Sequence, residues 1–160
     1  MIPYEQLNNL HFIKGLDPVA NAFAGTVSSD VVDLSNHQSA LFLIYKGVGA
    51  TGTATITVEA CDDTVPTTTV AVPFYSKNIT TSDTQGAVTA RAAAGFNTTA
   101  GSSQMYAIMV HQEELANVGY RYVRLKSVEV VASPVLGGIA IALAGPRFGG
   151  SAGTSQSEID

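Results

Sequence analysis

ALFLIYKGVGATGTATITVEA, residues 40–60, carries two strand signatures on either side of a glycine-rich turn. Ala40–Tyr45 is apolar at every position, as in a strand buried on both faces. Thr53–Ala60 alternates: Ala54, Ile56, Val58 and Ala60 share one face, and Thr53, Thr55, Thr57 and Glu59 share the other. Period two belongs to an extended chain, and β-branched side chains pack well on a pleated surface. With Gly47–Gly52 between them, the two runs predict a β-hairpin.

The same reading extends along the chain. Cys61–Thr69 is a polar loop, and Val70–Tyr75 is a short strand that Pro73 confines to an edge or an end. Residues 76–103 are the least hydrophobic stretch, long for a structureless loop, with a hairpin predicted around Ala87–Arg91. Met105–His111 is a strand and Gln112–Asn117 a single helical turn. Gly119–Val131 reads as the longest strand. Its phase shifts between Leu125 and Val128, which a β-bulge near Lys126–Ser127 would reconcile. After a turn at Pro134–Gly138, Ile139, Ile141 and Leu143 face one way and Ala140, Ala142 and Ala144 the other, a small face that permits close approach of another layer. Upstream, Thr26–Leu34 is a first strand and Asn36–Ser39 a turn, while residues 1–25, punctuated by Pro3, Gly15, Pro18 and Gly25, read as an extended arm. The organisation expected is an N-terminal arm (1–25), a single antiparallel β-sandwich, jelly-roll-like or immunoglobulin-like (26–145), and a C-terminal arm (146–160).

Composition limits the function. The 160 residues form one domain's length, with 46% hydrophobic residues to fill a core. A net charge of −5 lacks the basic footprint of a nucleic-acid binder. One Cys excludes an intramolecular disulfide framework. The N-terminus shows no basic region followed by an apolar core, and the run Val135–Pro146 is short of the roughly 20 residues that span a bilayer, so cytoplasmic synthesis and no membrane partner are expected. Only 13% of residues are charged, and that sparse surface suits a protein that lives against copies of itself or a partner.

Chemical motifs are weak. GVGATG lacks the Lys-Ser/Thr of a phosphate loop and precedes a strand, not a helix. His11, His37 and His111 lack ligand spacing; Asp62 and Asp63 read as loop caps, and His111, Glu113 and Glu114 as a strand end running into a solvated turn. Cys61 reads as a small buried hydrophobe whose acidic neighbours disfavour a thiolate. There is no G-x-S-x-G elbow. No catalytic residue, metal or cofactor is expected. Tyr120 or Tyr122 in LANVGYRY is placed as a structural corner tyrosine, and Arg121, Arg124, Lys126 and Arg147 either pair with a partner subunit's acids or line a solvated strand.

The runs SALFLIYKGVGATGTATITVEACDD and AVPFY, with ELANVGYRYVRLKSVEVVASPVLGGIAIALAGPRF further on, resemble small structural proteins of tailed bacteriophages. The resemblance covers most of residues 39–75 and 105–148. It implies a non-enzymatic virion protein, most like a capsid decoration (cement) protein made in the host cytoplasm and carried on the capsid surface. Its partners would be the major capsid protein and further copies of itself, with a trimer the expected oligomer. The arms would supply the contacts, through Ile2, Tyr4, Phe12, Arg147 and Phe148. The tail GGSAGTSQSEID would order against a neighbour or dock on its own body. An alternative is a tail or surface module that binds host glycans through residues 76–103, where Phe96 is the sole aromatic.

Overall fold

A two-faced strand pattern needs two layers, and two antiparallel sheets supply them. The structure, a computed structural model, describes residues 7, 9–49, 51–101, 103–147 and 158–159. The first sheet runs β1 (His11–Val19), β13 (Val135–Pro146), β4 (His37–Gly49), β11 (Gln104–His111), β7 (Phe74–Thr80) and β8 (Thr84–Gln85), with β9 (Thr89–Arg91) also on β7. The second runs β10 (Phe96–Asn97), β5 (Thr53–Cys61), β12 (Tyr122–Val131), β3 (Val31–Asp33) and β14 (Glu158–Ile159), with β2 (Thr26–Ser28) on β12 and β6 (Thr69–Val72) on β5. The helical turn α1 (Gln112–Asn117) falls where the sequence places it, with Leu115 fully buried beneath it.

Between the sheets, Phe42, Ile44, Ile108 and Ile141 meet Ile56, Val58, Val123 and Leu125, each at most 1% exposed. The alternation of Thr53–Ala60 is seen directly, its apolar members facing this core. The expected hairpin, however, does not form. β4 and β5 lie in different sheets, and the glycine-rich segment carries the chain from one layer to the other. Gly52 makes that crossing possible: a Cβ there would stand 2.4 Å from the Ser133 carbonyl oxygen and 2.5 Å from Val135. Pro73 marks a second crossing. With no N–H to give to a ladder, it splits the expected Val70–Tyr75 strand into β6 in the second sheet and β7 in the first.

Three further elements differ from the sequence reading. His11–Val19, read as part of an arm, is an edge strand of the first sheet, paired from His11↔Leu143 to Val19↔Gly137, with Ile13 and Phe23 in the core. Gly15 and Pro18 accompany its register shifts and do not mark a departure from the fold. Thr26–Leu34 is interrupted at Ser29, whose Oγ accepts the Leu125 N–H while Asp30 N–H turns to the Gly15 carbonyl of the other sheet. β12 keeps an unbroken register from Tyr122↔Cys61 to Glu129↔Ala54 and shifts only between Glu129 and Val131. No bulge falls at Lys126–Ser127, because Ser127 itself takes the inward position and Val128 and Val130 face outward.

At the C-terminal side, Pro146 still pairs with His37, and Glu158–Ile159 pair with Val32 and Val31 of the same chain. Glu158–Ile159 thus dock on the chain's own body, and the other residues of the expected tail, 149–157 and 160, lie outside the described residues.

Candidate interaction surface

The outer faces of the two sheets differ in chemistry. On the second sheet, Thr53, Thr55 and Thr57 alternate outward beside an ion cluster. Arg124 gives Glu59 two N–H bonds, 2.9 and 2.8 Å, and Lys126 gives a third at 2.9 Å. Burial alone would raise the pKa of Glu59; the hydrogen bonds and charges of Lys126 and Arg124 outweigh it and hold the carboxyl below the usual value. Arg121 lies 3.8 Å from Asp33. Three of the four cations considered as partner contacts are thus paired within the chain, and Arg147 is exposed.

On the first sheet the outward rows are largely apolar. Phe12, Ala142, Leu41, Met109 and Tyr75 form one row across five strands, and Lys14, Ala140, Leu43, Ala107 and Lys77 form the next. Gly138, Tyr45, Met105 and Ile79 form a third. Phe12 is 59% exposed, Tyr45 57% and Tyr75 46%. In these rows β13 contributes only Gly138, Ala140 and Ala142, so its neighbours stand proud of it, with its Leu136 at one end. The result is a trough of about 720 Å³, floored by Gly137, Gly138 and Ala140 and walled by Phe12 and Leu16 on one side and Leu43 and Tyr45 on the other. A side chain at 138 would fill it from below, its Cβ 2.9 Å from the Leu16 carbonyl oxygen. The outward alanines of β13 are those in which the sequence allows close approach of another layer.

Of the contact residues expected from sequence, Phe12 walls this trough, and Arg147 sits at the opposite end of β13, its N–H on the Asn36 carbonyl. Ile2, Tyr4 and Phe148 lie outside the described residues. Leu41, Leu43, Tyr45, Met105, Met109 and Tyr75 were missed. Their signal was present: a strand apolar on both faces, in a two-layer fold, must turn one greasy face outward.

The other candidates resolve into structural roles. Cys61 is fully buried, and burial, with Glu59 and Asp62 nearby, pushes its thiol up to about 11 against the opposing pull of Arg124. Asp62 caps its loop, bonded to Thr67 and Thr68. No group of three or more His, Cys, Asp or Glu among the described residues is arranged to hold a metal ion. Lys46, 2% exposed, donates to the carbonyls of Gly52 (3.2 Å) and Thr99 (2.8 Å) and so ties down the first crossing. His37 is buried against His11, ring centroids 6.2 Å apart, and its Nδ1 has no hydrogen-bond partner among the described residues. Phe96 packs against Phe74 and Tyr106 with Arg91 over its ring, so it offers no exposed sugar platform. Tyr120 packs on the core, while Tyr122 faces outward and its hydroxyl is taken by the adjacent Arg121. No helix of the described residues is long and apolar enough to cross a membrane.

No protein-family model matches the chain, and no curated protein does. Among solved structures, it is similar to the SPBc2 prophage-derived protein YomS at 10% identity, over 84% of this chain and 91% of that one, with a TM-score of 0.43. It is also similar to a chain of infectious bursal disease virus, Gx strain, at 14% identity and a TM-score of 0.23; 86% of this chain spans 42% of that one.

Proposed function

We propose that this protein is a non-enzymatic structural component of a tailed-phage virion, a decoration protein that binds the assembled capsid and reinforces contacts between major capsid subunits. The observation that carries the reading is the contrast between the two sheet faces. One carries threonines and an internal ion cluster, with Val128 and Val130 also turned outward; the other presents three half-exposed aromatic rings, two of which, Phe12 and Tyr45, wall an apolar trough. Exposed apolar surface of this kind marks a protein contact. The resemblance of residues 39–75 and 105–148 to phage structural proteins supplies the context.

A cement role requires only modest affinity per site. Binding that favours the assembled state stabilises it by mass action, and copies arrayed on a lattice act together. A cyclic oligomer, a trimer at a three-fold lattice position, fits that arrangement. The test is addition of purified protein to expanded capsids that lack it. Saturable binding and a higher capsid disruption temperature are expected; neither binding nor added resistance would refute the reading.

A further inference from the structure

We infer that the outer face of the first sheet docks on a protein surface that is apolar at its centre and bordered by carboxylates, and not on a second copy of this chain. The inference rests on the decoration reading and adds the chemistry of the partner. Lys14 and Lys77 flank the middle row from opposite strands, with Leu43 midway between them. They are the charged side chains of the three rows, in a chain whose net charge is −5; Asp17 stands at one corner of the trough. Sheets packed in the aligned class keep their strands within about 30° of each other. A two-fold axis centred on this face, along the strands or across them, superimposes the middle row on its own copy. Lysine then meets lysine at both flanks, and like charges brought together across an interface oppose association. A partner with carboxylates at those two positions instead gains two charge pairs at the rim of an apolar contact.

Aromatic side chains bury about 150–250 Å² each, so three rings near half exposure offer roughly 300 Å². A stable interface needs about 800 Å² per partner. The three rings by themselves supply less than half of that, and a contact built around them suffices where many sites act in concert.

The test compares wild type, the double variant Lys14→Glu/Lys77→Glu and the variant Tyr45→Ser, all as full chains, in binding to expanded capsids at low and high salt. All three substituted side chains are at least partly exposed, and unchanged thermal melting confirms their fold. Tyr45→Ser and the lysine reversal should each weaken capsid binding, the reversal by roughly tenfold. Salt should weaken wild type far more than the reversal variant. The molar mass of the free protein, by light scattering, should be the same for all three. If wild type binds and both variants bind equally well, the inference is overturned and the decoration reading stands. If wild type does not bind, both fail. A free mass that drops on Tyr45→Ser would make a second copy the occupant, and co-flotation of wild type with phosphatidylglycerol vesicles would make it a lipid surface; either overturns the inference.

Discussion

Replacing Ser127 with Ala should make this protein more stable. Ser127 sits in the middle of β12, opposite Ile56 of β5 and Val27 of β2, with its side chain turned into the core and no exposed surface. Its Oγ has no hydrogen-bond partner among the described residues. A buried hydroxyl without a partner costs about 1–3 kcal/mol relative to its hydrated state. Alanine removes that cost and gives up only the contacts of one oxygen, a few tenths of a kcal/mol. The net gain is about 1 kcal/mol, roughly a fivefold shift in the folding equilibrium. For a chain of this length the melting temperature should rise by about 2–4 °C. Scanning calorimetry reads the shift, and a urea titration should show a higher midpoint at an unchanged slope. Val128→Ala, one residue on and facing outward, should stay within about 0.5 kcal/mol of wild type. An unchanged or lower melting temperature for Ser127→Ala would refute the reasoning, because it would mean that the hydroxyl is bonded.

Three further outcomes follow from the buried ionisable groups. His37 has a pKa lowered by burial and then by His11, with Asp33 opposing, so the unfolded chain binds a proton more readily than the folded one. Stability should therefore be full above the ordinary imidazole value of about 6.5 and fall as pH drops through it, a slope that His37→Gln should flatten in denaturant titrations at pH 8 and pH 5. Glu59→Gln should destabilise by about 1–2 kcal/mol at neutral pH, since it leaves Arg124 and Lys126 adjacent and without their shared carboxylate, and wild type should lose the same contribution as pH falls below the ordinary carboxylate range. Cys61, fully buried with its thiol pushed up to about 11, should stay inert to Ellman's reagent in the native protein and react on unfolding; rapid native labelling would contradict its placement.

What the sequence disclosed was local. Thr53–Ala60, Met105–His111, Gln112–Asn117 and the inward–outward split of Ile139–Leu143 all follow from periodicity, and each appears in the fold. Periodicity does not say which sheet a strand joins. Ala40–Tyr45 and Thr53–Ala60 look like hairpin partners because a glycine-rich turn links them, but they join different sheets, and the crossing between them is accommodated at Gly52 against Ser133, over 80 residues away. Ser127 concealed the phase of β12 because a polar residue occupies an inward place. His11–Val19 concealed itself because a shifting register leaves an edge strand without clean alternation. The apolar outer face of the first sheet was legible only in part. Phe12, the outward alanines of β13 and the two-faced apolar run Ala40–Tyr45 are all legible in the sequence, whereas the juxtaposition of Tyr45 with Met105 comes from cross-strand register. That register joins positions about 60 residues apart, which no short-range pattern encodes.

The place of β13 bears on how the chain acquires this structure. Every other strand of the first sheet precedes it, yet it lies between β1 and β4. During synthesis β1 has no partner in its sheet until residues 135–146 leave the ribosome. Until then β4 presents an open edge on that side, the kind of unpaired strand that invites aggregation. Closure of the sheet is thus a late event over a long sequence separation, and such contacts make folding slow. A nascent chain halted before Val135 would present both edges at once, so chaperone demand should peak there and collapse once β13 slots in.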